Sequence, residues 1–316
     1  MSIYVGGGMQ VSICVITYKR PEGLTRLLEG LNQLHFSRIP EPDISVVLVD
    51  NDVNQSAYPV YASLQARFKY GLTYTVESRR GISHARNCSV NCAQSDSQFI
   101  AFIDDDEVPE PTWLEELLVV QDTYQADIVH GPVLPNFQSD VPSWVREGNF
   151  FAPRRYDTGH RLDAAYTHNL LVRAELLKAR QPVFDERFSL TGGEDSYLFR
   201  TLHHQGCRLV WANEAVVHEW VPSTRTTMKW ILMRAYRGCL SYTTWEREVK
   251  GSIRLKLLSC LKGMAQIGMG LCLLGPSVFL SNYLRMKALL NIYQGAGRLS
   301  GLIGINYEEY KEIHGI

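Results

Sequence analysis

The first third of this chain places its hydrophobic residues in short unbroken runs, each closed by polar residues and followed by helical spacing. Val11-Ser12-Ile13-Cys14-Val15-Ile16 ends in Thr17-Tyr18-Lys19-Arg20-Pro21, and a helix is predicted over residues 22–34. Ile44-Ser45-Val46-Val47-Leu48-Val49 ends in Asp50-Asn51-Asp52, ahead of a predicted helix over 56–69. Residues 72–76 read as a third strand, leading through Glu77-Ser78-Arg79-Arg80-Gly81 into a helix over 83–92. A fourth run, residues 99–103, stops at Asp104-Asp105-Asp106-Glu107, and the next helix covers 113–124. Strands covered on both faces read as continuous apolar runs. Their alternation with helices over short links predicts an α/β fold with a parallel, doubly wound sheet. Polar residues close every strand, which points to a site assembled along one edge of that sheet.

After Val133 the regularity breaks. Pro135, Pro142 and Pro153 fall among Phe137, Trp144, Phe150, Phe151 and Tyr156, which predicts a loop-rich segment that serves as a binding wall or as aromatic packing. Helical spacing returns over 173–180 and 194–204, a short strand follows over 207–211, and the run 215–217 reaches His218. Leu, Met, Gly and Ile dominate residues 255–280, and no charge falls within 263–280. A bilayer span takes about 20 predominantly apolar residues, so this tail is borderline. Arg254, Lys256, Lys262, Arg285 and Lys287 flank it and suit anionic headgroups. The expectation is peripheral membrane contact through an interfacial or re-entrant hairpin; the competing reading is a hairpin packed on the protein or a second subunit. The predicted division is a main domain over 9–245 and a C-terminal helical extension over 252–316.

Charge narrows the partners. A net charge of -1 over 316 residues supplies no basic field for nucleic acid, and no basic run interleaves with aromatics. The seven cysteines are odd in number and several sit in apolar surroundings, as expected of reduced thiols in a cytoplasmic protein. Cys88 and Cys92 stand one helical turn apart without a second pair at metal spacing, so core packing is expected. Met1 to Gln10 lack the basic flank and apolar core of a signal peptide. Gly6-Gly7-Gly8 is too short and too early for a phosphate loop.

The candidate chemistry lies where strands end. Adjacent carboxylates such as Asp104, Asp105 and Asp106 repel one another unless a cation or proton sits between them. Carboxylates completed by water and phosphates are how Mg²⁺ is usually held, and Mn²⁺ accepts the same ligands. An acidic turn before a helix begun near Pro109, Pro111 and Thr112 is the competing reading. Arg79, Arg80 and Arg86 around Gly81 suit phosphate oxygens, or surface ion pairs. Asp50 can accept a base N–H, while Asp52 or Asn54 can cap the next helix. Gly192-Gly193-Glu194-Asp195 joins a flexible turn to a helix start, where acidic residues are favoured by the dipole.

In their order and separations, Ile16-Thr17-Tyr18-Lys19-Arg20-Pro21, Val49-Asp50-Asn51-Asp52, Gly81-Ile82-Ser83-His84-Ala85-Arg86-Asn87, Ile103-Asp104-Asp105-Asp106-Glu107, Gly192-Gly193-Glu194-Asp195 and Val217-His218-Glu219 form one set. From about Val11 to Thr244 the chain resembles the inverting family-2 glycosyltransferases, and within them the succinoglycan-type exopolysaccharide glucosyltransferases. The resemblance implies a GT-A fold and transfer of a hexose from UDP-glucose, with Mn²⁺ or Mg²⁺. The implied acceptor is a lipid-linked or growing saccharide at the cytoplasmic face of the plasma membrane. It also implies that Thr17 and Arg20 contact the nucleotide, Asp50 the uracil, and Arg86 the region beside the nucleotide sugar. Asp104 would face the ribose or metal-bound water and Asp106 would ligate the ion bridging both phosphates, with Asp105 turned away by backbone alternation. Asp195 would be the general base and Glu194 its acceptor-positioning partner. His218 would meet the metal or the diphosphate, and Arg225, beside Ser223 and Thr224, would close over the diphosphate. His168-Asn169 aligns with a segment near the sugar and its role stays open. Two rivals remain: a catalytically silent saccharide- or nucleotide-binding subunit on the same fold, and a sugar-phosphate nucleotidyltransferase. Residues 17–21 lack the glycine run that the second ordinarily carries.

Overall fold

The computed structural model describes residues 8–137, 140–153, 155–277, 282–305 and 307. Gly6, Gly7, the first seven residues of the signal-peptide reading and residues 278–280 of the apolar tail lie outside them. Strand β1 (Gln10–Thr17) sends Val11, Ile13 and Val15 into one apolar cluster and Cys14 into another. Helix α1 (Pro21–Leu31) follows, begun by a proline whose missing N–H costs nothing there. β2 (Asp43–Asp50), α2 (Tyr58–Leu64), β3 (Gly71–Val76), α3 (Ile82–Cys92) and β4 (Phe99–Phe102) complete the first half. All four strands run parallel in the order β3-β2-β1-β4. α2 is shorter than expected at both ends.

Beyond β4 come β5 (Glu107–Pro109), α4 (Trp113–Tyr124), β6 (Ile128–His130), β7 (Val133–Phe137), α5 (Ser143–Gly148) and β8 (Arg161–Leu162). β9 (Leu170–Arg173), α6 (Ala174–Lys178), α7 (Glu194–His204), β10 (Leu209–Trp211) and β11 (Val217–Val221) follow. The main sheet reads β3-β2-β1-β4-β9-β6-β10-β8, and β5-β11-β7 form a second, three-stranded sheet. The parallel sheet expected from the first four strands is present over β1–β4, and the strands beyond it make the sheet mixed: β9 runs antiparallel between β4 and β6, and β8 runs antiparallel to β10. Both faces are covered. Side chains of α1, α2 and α4 pack with Phe99, Ala101 and Leu171 on one side. Those of α6 and α7 pack with Ile100, Phe102 and Val172 on the other. Cys88 joins Val47, Val49 and Ala85 in a small cluster under α3, the packing expected of it.

The chain divides into two compact units, one holding residues up to Asn136 with Pro153–Trp220, the other Phe137–Ala152 with residues from Val221 onward. The second unit contains α8 (Met228–Trp245), α9 (Ile253–Ser277) and α10 (Asn282–Ile303). Within this unit α8 packs closely with α10. A Cβ on Gly297 or Gly301 of α10 would lie 2.2 Å from the Tyr236 carbonyl or 2.7 Å from that of Leu240, so only glycine lets α10 approach α8 so closely. In the same unit α9 leaves Leu257, Leu261, Met264 and Leu271 at least half exposed.

In the first unit Asn169 fixes the entry to β9. It is fully buried with φ of 50°, a left-handed conformation that asparagine tolerates. Its amide donates to the carbonyls of Pro132 (2.8 Å) and Ala215 (2.7 Å) and accepts from Trp113 Nε1 (2.7 Å). Asn169→Ala leaves Trp113 Nε1 and the Ala215 carbonyl without this partner, while the Pro132 carbonyl keeps the Val217 N–H, so it is expected to lower stability by about 3 kcal/mol in urea denaturation. A midpoint equal to that of the unaltered chain would remove this role.

Candidate active site

The triplet at the end of β4 is held from both sides by arginine. Asp105 is buried; its carboxylate accepts from Thr17 Oγ1 (2.7 Å) and Arg20 Nη1 (2.9 Å). The same Nη1 donates to Asp106 Oδ2 at 3.1 Å. Thr17 and Arg20 were expected on the nucleotide; the structure engages them in anchoring the triplet. Asp105 points inward, as alternation requires. Gly23 of α1 permits this arrangement, since a Cβ there would lie 2.6 Å from the Asp105 carbonyl oxygen.

Asp104 faces the opposite neighbour. Arg86 Nη2 approaches its Oδ1 at 3.4 Å, and its backbone N–H donates to Glu107 Oε2 at 3.0 Å. Although 35% of its side chain still reaches the surface, burial pushes the Asp104 carboxyl up to about 6; Arg86 opposes the shift, and the charges of Asp106, Asp105 and Asp195 add to it. Burial, then Asp104, raises Glu107 as well. This crowding shows that Asp195, distant in sequence, lies within the field of the triplet.

Asp195 arrives there through α7. Gly192 and Gly193 adopt φ of 73° and 91°, which glycine takes without steric cost, and they turn the chain so that the helix starts at Glu194. Asp195 is partly exposed. Its Oδ1 accepts from the Ser196 N–H (2.5 Å), and its Oδ2 from both the N–H and the hydroxyl of Thr167 (3.3 Å each). Glu194 is buried and ion-paired with Arg86, itself only 4% exposed; its other oxygen has no partner among the described residues. Arg86 and Glu194, expected beside the sugar and the acceptor, pair with each other beneath the surface and brace Asp104 against the first turn of α7.

Asp50 is likewise fully buried. Its carboxylate accepts from the N–H groups of Asp52 (2.9 Å) and Ala57 (2.8 Å) and from the Tyr74 hydroxyl (3.0 Å), so it shapes the loop after β2 and offers no exposed acceptor to a base. Neither Asp52 nor Asn54 caps α2; Asp52 accepts from the Asn54 N–H within the loop. His218 pairs with Val108 across β5 and β11, and its Nε2 lies 3.1 Å from Glu110. The next residue, Glu219, is the one opposite Glu107, and alternation puts His218 on the other face. Arg79 ion-pairs with Glu77 and Glu186 at the surface, whereas Arg80 lies over the Tyr18 ring (5.3 Å), which Lys19 also approaches (5.3 Å). Arg225 belongs to the second unit, in a turn where it stacks over Trp230 (5.8 Å).

Four contributors escaped the sequence reading. Asn51 accepts from the Gly81 N–H (2.8 Å) and donates to the carbonyls of Glu77 and Arg79, moulding the loop before α3. Glu107 ties down the Asp104 backbone, Thr167 holds Asp195, and His130 lies close enough to Asp195 to feel its charge. Glu107 and Asn51 carried a signal, each lying inside a polar cluster that closes a strand. Among the described residues no three His, Cys, Asp or Glu side chains gather to hold an ion. Asp104 and Asp106 offer hard oxygen donors, a set that fits Mg²⁺ or Mn²⁺ when phosphates and water supply the other positions.

Removing one partner of a buried ion pair leaves an uncompensated charge. Arg86→Met is therefore expected to cost about 3–5 kcal/mol in chemical denaturation, and the double variant Arg86→Met/Glu194→Leu to recover most of it. If the double variant is as unstable as the single one, Arg86 and Glu194 do not depend on each other.

Comparison with known proteins agrees with this geometry. Residues 12–180 match Glycosyl transferase family 2. The chain is 30% identical over 308 residues to the succinoglycan biosynthesis protein ExoM of Rhizobium meliloti (strain 1021), covering 96% of each. Among solved structures, the mannosyltransferase PcManGT of Pyrobaculum calidifontis, in complex with GDP-Man and Mn²⁺, superposes with a TM-score of 0.63 at 16% identity, over 92% of this chain and 86% of that one. S. aureus TarS 1-349 in complex with UDP-GlcNAc gives 0.53 at 17% identity, over 95% and 93%. The mixed sheet, with the acidic triplet at the end of its fourth strand, is the GT-A architecture, and the chain belongs to glycosyl transferase family 2.

Proposed function

We propose that this glycosyltransferase moves a hexose from UDP-glucose, with inversion, onto a lipid-linked or growing polysaccharide at the inner face of the plasma membrane. The observation that carries the reading is the position of Asp195: partly exposed, aimed by Thr167 and Ser196, and within the field of Asp104. A general base must come within hydrogen-bond reach of the acceptor hydroxyl. Asp195 takes that proton while the acceptor oxygen bonds to the donor's anomeric carbon and UDP leaves from the opposite face, so no covalent nucleophile is needed. Asp104 and Asp106 would hold a divalent ion together with the donor diphosphate, and that ion would offset charge developing on the leaving group. Tyr18, with Lys19 and Arg80 over its ring, offers an aromatic and cationic rim at the end of β1 for the nucleotide.

The substrate classes draw support from the relatives. ExoM acts in succinoglycan biosynthesis, which favours an exopolysaccharide product; TarS was solved with a UDP-sugar, and PcManGT with Mn²⁺. Membrane contact draws support from α9. Its stretch Ile253–Gly275 has a mean hydropathy of 1.6 and is mostly exposed, with Arg254, Lys256 and Lys262 in its first half and Arg285 and Lys287 beyond it. A binding subunit without turnover is the reading to be excluded.

UDP release from a panel of nucleotide sugars separates the two. One donor should be hydrolysed or transferred selectively, and EDTA should abolish the reaction. Asp195→Asn should lower transfer by about 10²–10⁴-fold with UDP affinity retained; near-normal transfer would discard the base assignment. Flotation with phosphatidylglycerol vesicles should carry the chain upward, and Leu257→Glu with Leu261→Glu should abolish this. Flotation unchanged by both substitutions would exclude the α9 face.

A further inference from the structure

Beside Asp195 lies a group of aromatic rings that the donor-side chemistry does not use. His130 and Trp211, both buried, lie face to face at 5.5 Å and 17°. Outside them Tyr166 and His168 stack on each other at 5.3 Å and 8°. Each meets His130 edge-on, at 5.9 Å and 77° for Tyr166 and 5.1 Å and 79° for His168. Tyr166 is 36% exposed, so the outer layer reaches solvent while the inner layer backs it.

This stack is tied to the base by the residue it encloses. Thr167 is buried and directs both its N–H and its hydroxyl to Asp195 Oδ2. Asn169, two residues on, is locked by three side-chain hydrogen bonds. The segment from Tyr166 to His168 therefore keeps a fixed relation to the carboxylate. Neither ring nitrogen of His130 nor Trp211 Nε1 makes a well-formed hydrogen bond among the described residues. Burial, reinforced by His168, keeps His130 neutral. The inner layer thus supplies flat, uncharged backing.

We propose that the Tyr166–His168 stack is the acceptor subsite, a platform on which a neutral hexopyranose lies with one hydroxyl toward Asp195. This rests on Asp195 being the base. The face of an aromatic ring carries partial negative charge, and the axial C–H hydrogens of a pyranose carry partial positive charge, so the two surfaces attract. Binding sites combine such apolar walls with a few convergent polar groups, here Asp195. The negative charges of Asp195 and Asp104 repel an anionic sugar, so the platform selects a neutral one.

Saturation-transfer NMR on the full chain, with methyl β-D-glucopyranoside, methyl β-D-galactopyranoside and methyl β-D-glucuronide as probes, tests this without turnover. At least one neutral glycoside should receive saturation from the unaltered chain, and the glucuronide should not. Tyr166→Phe should keep the effect and Tyr166→Ala should weaken it by about fivefold or more. Matching thermal melts and UDP affinities across the variants show that the fold is retained. No signal from either neutral glycoside, equal signal from the glucuronide, or a full signal in Tyr166→Ala overturns the platform. Failure of UDP binding in the unaltered chain would instead overturn the proposed function while leaving the glycoside result to be read on its own.

Discussion

Three carboxylates at the end of a buried strand repel one another, and the first unit is arranged around that repulsion. Arg20 reaches Asp105 and Asp106 from the turn after β1, while Arg86 reaches Asp104 from α3. Each arginine is carried by an element packed against the same sheet, so the charge balance is set by backbone geometry and not by mobile surface groups. Compensation remains incomplete at Asp104, whose carboxyl stays high because burial and three further carboxylates outweigh Arg86. A divalent cation with a diphosphate is the natural complement of such a surplus.

Arg86 also links this surplus to the acceptor side. By pairing with Glu194 it connects Asp104 to the first turn of α7, and the next residue of that turn is Asp195. Thr167 and Asn169 then extend the fixed region into the aromatic wall. Donor carboxylates, base and rings thus form one continuous support within the first unit. Site groups held by packed neighbours keep a productive geometry better than groups on free loops. The brace is buried for that reason, whereas Asp195 keeps a partly exposed edge.

Much of this was legible from the amino-acid order. The unbroken apolar runs of β1, β2 and β4 and the helical spacing of α4 and α7 specify their elements locally, and the structure follows them. β9 was not legible, because Leu170-Leu171-Val172-Arg173 is short, buried on both faces and abuts a helix, so periodicity cannot separate strand from helix there. Site residues divide in the same way. That Asp104, Asp106 and Asp195 close polar turns is a local property. That Arg86 meets Glu194, 108 residues away, or that register turns His218 toward Glu110, is decided by tertiary pairing. Asp50 illustrates the difficulty: a polar residue at a strand end can be engaged by its own loop and by a neighbouring strand, here through Tyr74 of β3.

The central claim is that Asp104 and Asp106 form half of a cation site whose other half is the donor diphosphate. Calorimetric titration of UDP in the presence of Mn²⁺ and in the presence of EDTA tests it most directly, on the unaltered chain and on Asp106→Ala. The account predicts UDP affinity at least about tenfold higher with Mn²⁺, the factor set by roughly 1.4 kcal/mol, and loss of that gain in Asp106→Ala. UDP binding of equal strength with and without the ion, or a gain that survives Asp106→Ala, would contradict it.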